Sequence, residues 1–175
     1  MTNQLSTKSP YFLDCARLTW DENNHPTSCQ YGDIYFSKKD GLRETEHVFL
    51  QHNQLPQRWQ QLANQKPMHN TIFTVGEIGF GTGLNFLATW RLWQQSAPDN
   101  SQLHFISVEK HPLQHHDLRR SLQLWPELQP FTEQLIAAYP PLIPGHHLLK
   151  FNRGRISLHL LFGEAIDCLE QIRSS

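Results

Sequence analysis

At 175 residues and 20.5 kDa, with 38% hydrophobic and 18% charged residues, the chain is long enough for one domain with its own core. A formal net charge of -1 and a sequence pI near 6.8 exclude a general attraction to phosphate, so a nucleic-acid partner has to be held by local patches or by sequence outside these residues. No run approaches the ~20 apolar residues of a membrane span, and the polar stretch Met1 to Pro10 has no secretory leader pattern, so no membrane partner and a cytoplasmic location are expected.

Between Tyr11 and Leu50 the pattern is short and strand-like. Leu18-Thr19-Trp20, the turn-rich Asp21 to Pro26 and then Asp33-Ile34-Tyr35-Phe36-Ser37 predict an N-terminal β-hairpin. Lys38-Lys39-Asp40-Gly41 reads as a turn, and Arg43 to Leu50 as a helical or irregular arm leading to a polar helix around Arg58 to Gln65. Lys66 to Asn70 reads as a linker, which divides a β-rich extension and arm, 1–66, from a cofactor-binding part, 67–175.

Thr71-Ile72-Phe73-Thr74-Val75 has the length and β-branched content of a buried strand. It runs through Glu77 into three alternate glycines, Gly79, Gly81 and Gly83, and then a helix from Leu84 to Gln95 that Pro98 and Asn100 end. Leu103 to Val108 is a second strand finishing at Glu109, and Pro112 opens a helix carrying Leu118, Leu122 and Trp125. The two strands of this βαβα unit are expected to be parallel neighbours joined by a right-handed crossover. A further helix is predicted from Pro130 to Tyr139. Leu148 to Phe151 and Ile156 to Leu161 read as a hairpin or two short strands meeting at Gly154, before a helix beginning at Ala165. The expected class is α/β: a Rossmann-like sheet with an N-terminal β-hairpin extension. Three strand-helix units leave a strand edge unpaired. The 175 residues are therefore expected to be a fragment truncated after the third unit, with an edge open to self-association.

Cys15, Cys29 and Cys168 are odd in number and contain no C-x-x-C, so neither a disulfide framework nor a zinc knuckle is indicated. His111, His115 and His116 can share a helix face, but His-Glu-x-x-His is absent and no metal is expected. No G-x-x-x-x-G-K-[ST] occurs either. The glycine turn has the spacing G-x-G-x-G rather than the dinucleotide G-x-G-x-x-G, and Glu77 precedes it. A carboxylate facing a diphosphate there costs on the order of 1 to 4 kcal/mol at intermediate dielectric, whereas it suits an ammonium. S-adenosylmethionine carries one. Glu77 then accepts from the α-amino group, Glu109 takes the ribose hydroxyls, and Glu164 accepts from the adenine amino group. Each feature alone is ordinary, a tight turn or a solvated cap; three acids at three successive strand ends are not.

Glu77 to Leu87, together with Asp33 to Ser37, Gly41 to Thr45, Val48-Phe49-Leu50, His104 to Lys110 and Trp125 to Leu128, resembles the methyltransferase half of the MnmC family, the bifunctional tRNA 5-methylaminomethyl-2-thiouridine biosynthesis proteins. The likeness runs from about Tyr31 to Leu169. It implies a class I S-adenosylmethionine-dependent methyltransferase fold. The implied reaction is methylation of the primary amine of the wobble base 5-aminomethyl-2-thiouridine, with tRNA as partner. An FAD-dependent oxidoreductase domain is expected to follow outside this chain. The expected cofactor set is Glu77, Gly79, Phe80, Gly81, Thr82, Gly83, Asn85, Glu109, Lys110, Gly163, Glu164 and Ala165. Tyr35, Phe36 and Ser37 are expected to wall the methyl or the base, and Lys38 and Arg43 to meet tRNA phosphate. The family's acid near the reacting amine falls beyond Ser175, so no catalytic residue is assigned and the fragment alone is expected to be inactive. Two rivals stand beside this reading: a non-catalytic nucleoside-binding module and, disfavoured by Glu77, an NAD-linked oxidoreductase.

Overall fold

Phe73 and Val75 are buried while Ile72, Thr74, Gly76 and Ile78 between and beyond them are exposed, the period-two signature of a strand covered on one face. The computed structural model describes residues 13–37, 40–63 and 71–173. In chain order the strands are β1 (Leu18–Trp20), β2 (Pro26–Ser28), β3 (Thr71–Ile78), β4 (Ser101–Glu109), β5 (Gly145–Phe151) and β6 (Ile156–Phe162). The α-helices are α1 (Gly41–Glu44), α2 (Leu55–Ala63), α3 (Leu84–Ser96), α4 (His115–Leu122), α5 (Gln129–Ala138) and α6 (Ala165–Arg173). A seven-residue π-helix, Thr45–Gln51, joins α1 to α2. None of these helices is long and apolar enough to cross a membrane.

The main sheet has the order β3-β4-β6-β5, with β3, β4 and β6 parallel and β5 antiparallel to β6. The β5–β6 hairpin and the parallel β3–β4 pair are as the sequence predicts. The other edge of β3 pairs with no strand among the described residues. One face of the sheet lies under α3, whose Phe86 meets Phe105 edge-on at 5.2 Å and whose Trp90 packs 4.6 Å from Phe151. Trp59 of α2 is fully buried against Phe73 and Trp93, and its indole N–H donates to Ser96 Oγ at 2.9 Å. A buried apolar side chain of this size contributes about 1.5–3 kcal/mol, which fixes the N-terminal arm onto α3. On the opposite face, α6 sets Cys168 against Val108 and Leu161.

Three expectations are corrected. The partner of β1 is Pro26–Ser28, while Asp33 to Ser37 contributes one bridge, Ile34 to Thr27. Ser28 is the reason: its hydroxyl accepts from the N–H of Gln30 and Tyr31, and its carbonyl from Gly32, so the chain turns and Tyr35 and Phe36 leave the ladder. Helix α4 begins at His115 rather than Pro112, because the Pro112 carbonyl accepts from Ala16 N–H at 3.1 Å and Gln114 is extended. Trp125 lies past the end of α4, edge-on to Phe36 at 4.4 Å. Lys38, Lys39 and the expected linker Lys66 to Asn70 lie outside the described residues.

Candidate cofactor-binding site

The site forms where β3 and β4 end side by side. Their parallel register sets Glu77 opposite Ser107 and Ile78 opposite Val108, and Gly79 N–H continues the pairing to the Val108 carbonyl at 2.8 Å. The chain then turns through Gly79, at φ 90, and reaches Gly83, at φ 74, which stands at the N-terminus of α3 without a side-chain cap. The two glycines serve different ends. A Cβ on Gly79 meets nothing within 4 Å, so its bare backbone borders open space. A Cβ on Gly83 stands 2.7 Å from Phe80 Cζ and 3.2 Å from Leu135 Cδ2, so that glycine is demanded by packing.

The turn is fastened from β4. Glu109 accepts from Gly81 N–H with Oε2 and from His111 N–H with Oε1, both at 2.8 Å. A carboxylate has about four lone-pair sites, so two backbone bonds leave capacity for further donors. Glu77 sits behind the turn, where its Oε1 accepts from Ser107 Oγ at 2.9 Å and its Oε2 from Asn85 Nδ2 at 3.1 Å. Burial pushes its carboxyl up to about 7; the bonds from Asn85 and Ser107 pull it down and Glu109 adds to the rise.

Two open cavities flank this turn. One, of about 620 Å³, is bordered by Tyr35, Phe36, Ser37, Phe80, Thr82 and Asn85. The other, of about 540 Å³, is bordered by Glu109, Lys110, Gly163, Glu164 and Ala165. Ile34, Tyr35, Gly79 and Gly81 border both, so the Tyr35 side chain stands at their junction. Burial, then the charge of Glu109, raises its phenol to about 12, which keeps it neutral at ordinary pH. In the second cavity Lys110 Nζ lies 2.6 Å from Glu164 Oε1, and that carboxylate holds the Lys110 pKa above its usual value.

The structure thus brings most of the sequence-predicted residues together, in two groups. Glu77 and Gly83 border neither cavity; Glu77 bonds to Asn85, which borders one, and Gly83 packs against Phe80 and Leu135. Arg43 is turned outward, 3.3 Å from Asp40, and borders neither cavity; Lys38 lies outside the described residues. His111, His115 and His116 meet three different partners, the carbonyls of Asp14 and Ile136 and the carboxylate of Asp117. Sequence reasoning missed Tyr31, Ile34, Glu44, Thr45, Val48 and Phe49, all of which border a cavity. All but Tyr31 stand in the stretches that carry the family resemblance, which was the available signal; the run has no clear period, so periodicity did not single them out.

No protein-family model matches the chain. Curated relatives do. The chain is 48% identical over 159 residues to the tRNA 5-methylaminomethyl-2-thiouridine biosynthesis bifunctional protein MnmC of Methylobacillus flagellatus, covering 91% of this chain and 24% of that protein. It is 51% identical over 157 residues to the same-named protein of Stutzerimonas stutzeri, covering 90% and 23%. The chain therefore spans about a quarter of the length of the curated relatives it matches. Among solved structures, MnmC2 from Aquifex aeolicus superposes with a TM-score of 0.58 at 19% identity, over 92% of this chain and 47% of that one. The resemblance to the MnmC family holds over nine-tenths of the chain, and the Rossmann-like α/β fold is shared with the Aquifex structure.

Proposed function

We propose that this chain is the S-adenosylmethionine-binding part of a tRNA-modifying methyltransferase that converts 5-aminomethyl-2-thiouridine at the wobble position to 5-methylaminomethyl-2-thiouridine. The observation that carries the reading is the Glu109 carboxylate at the end of β4, fixed by two backbone N–H groups, on the wall of a cavity that the open backbone of Gly79 also borders. A fixed carboxylate suits the two hydroxyls of a ribose; it is the G-x-G-x-G spacing and Glu77 before it, rather than Glu109, that disfavour an NAD-linked oxidoreductase.

The donor supplies a methyl group on a sulfonium, made electrophilic by the positive sulfur. Glu109 binds ribose hydroxyls, and Val108 and Ala165 offer an apolar border for a purine next to Glu164 and Lys110. The uncapped first turn of α3, together with Gly81 and Thr82, faces the methionine end, where backbone N–H groups and the helix dipole favour a carboxylate. Glu77 orients Asn85, which borders the acceptor cavity, and so acts one step removed from the ligand. Tyr35, as a neutral phenol, provides a ring and a hydroxyl between donor and acceptor but takes no proton. These groups align the reactants, and alignment supplies a large part of the acceleration in a displacement of this kind.

The curated relatives are named for tRNA 5-methylaminomethyl-2-thiouridine biosynthesis, which supports tRNA as substrate. FAD is assigned to no residue of this chain. The test is methyl transfer from S-adenosylmethionine to tRNA bearing the unmethylated amine, catalysed by a protein of the relatives' full length that carries this sequence. Appearance of the methylated nucleoside by mass spectrometry supports the reading, and a modified tRNA that gains no methyl group overturns it.

A further inference from the structure

The cavity of about 620 Å³ on the far side of Tyr35 from Glu109 is bordered by aromatic rings, small residues and, among the described residues, a single charged side chain, Glu44. We propose that Glu44 receives the amine of the acceptor, so that this cavity selects a flat ring carrying an aliphatic amine over the same ring carrying a neutral substituent. The assignment rests on the methyltransferase reading and names the part of the acceptor site that selects its charge.

Three observations place Glu44 in this role. First, Asp40 caps α1 by accepting from Arg43 N–H at 3.3 Å, and its other oxygen lies 3.3 Å from Arg43 Nε. The neighbouring cation is thereby neutralised and held outside the cavity. The Glu44 carboxylate has no ion-pair or hydrogen-bond partner among the described residues. It is exposed, where a cation can reach it.

Second, the π-helix that begins at Thr45 continues the same wall. Thr45, Val48 and Phe49 border the cavity, and π-helical turns are frequent at functional sites. The turn is tied down at both ends: Glu46 pairs with Arg91 of α3, and Asn53 Nδ2 donates to the Phe49 carbonyl at 2.8 Å. Third, the other walls are apolar or neutral. Phe36, Phe49 and Phe80 offer ring faces or edges to a planar base, and Ser37, Thr82 and Asn85 offer neutral polar groups. A planar ring is accepted by the aromatic border, while its charge is read by Glu44 alone. An ammonium gains a charge-assisted bond there, and a hydroxyl gains only a neutral one.

The experiment is titration of the wild-type chain and of Glu44→Gln and Glu44→Ala with 5-aminomethyluridine and with 5-hydroxymethyluridine, in saturating S-adenosylhomocysteine at pH 7. The wild type is expected to prefer the aminomethyl nucleoside at least fivefold. Both variants are expected to lose that preference while binding S-adenosylhomocysteine with unchanged affinity, which shows that their fold and donor site are intact. A wild type without the preference, or a preference that survives in both variants, overturns the assignment of Glu44 and leaves the donor site standing. A wild type that does not bind S-adenosylhomocysteine overturns the methyltransferase reading, and the assignment of Glu44 with it.

Discussion

The Glu109 carboxylate accepts from the Gly81 backbone N–H at 2.8 Å, a bond that spans 28 positions in the chain and fastens the glycine turn to the end of the neighbouring strand. Through it the strand-end acid and the turn backbone that border the same cavity are tied to each other, so changes on either side act on both.

The two glycines of the turn are expected to fail differently when a methyl group is added. Gly79→Ala and Gly83→Ala both place an L side chain at positive φ, which costs about 1–2 kcal/mol. Only at Gly83 does the new Cβ meet Phe80 and Leu135 within 3.2 Å. Overpacking of that kind costs about 1–3 kcal/mol more. Urea unfolding is expected to rank Gly83→Ala clearly below Gly79→Ala, and equal losses contradict the division of roles.

Glu77 gives a pH signature. Its carboxyl titrates near 7 in the folded chain, above its ordinary value of 4.5, so the fold binds more protons than the unfolded chain between those limits. The associated stability is fully present below about 4.5 and is lost as pH rises through about 7, an effect of up to roughly 3 kcal/mol. The difference in unfolding free energy between wild type and Glu77→Gln is expected to move in favour of the variant from pH 5 to pH 8. A difference that stays constant shows that Glu77 does not titrate in this range.

The contact between Glu46 and Arg91 holds the π-helix against α3. Replacing Arg91 with Met leaves a partly buried carboxylate without its cation, a loss of about 1–3 kcal/mol. Backbone amides of Thr45–Gln51 are expected to exchange hydrogen at least several-fold faster in the variant, with little change in β4. Uniform acceleration across the chain shows a global rather than a local loss.

Much of this was legible in the sequence. The β3-turn-α3-β4 unit could be read because its apolar periods, glycines and strand-end acids all agree locally, and β5–β6 because Gly154 sits between two apolar runs. What escaped depends on distant pairing. Pro26-Thr27-Ser28 has turn chemistry and becomes a strand only because β1 lies beside it. That Ser107 donates to the Glu77 carboxylate follows from the register with β4 and has no mark in the local sequence. Glu44 is one acid in a mixed polar run, and its place on a cavity wall is decided by the Asp40 cap and by a π-helix, which has no sequence period of its own.

The central claim is that Glu109 and the glycine turn bind the donor's nucleoside, and calorimetric titration of S-adenosylhomocysteine into wild type and Glu109→Ala tests it most directly. Micromolar binding by the wild type, weakened at least tenfold in the variant, with no binding of NAD, is the expected result. Absence of binding by the wild type, or equal affinity in Glu109→Ala, contradicts the account.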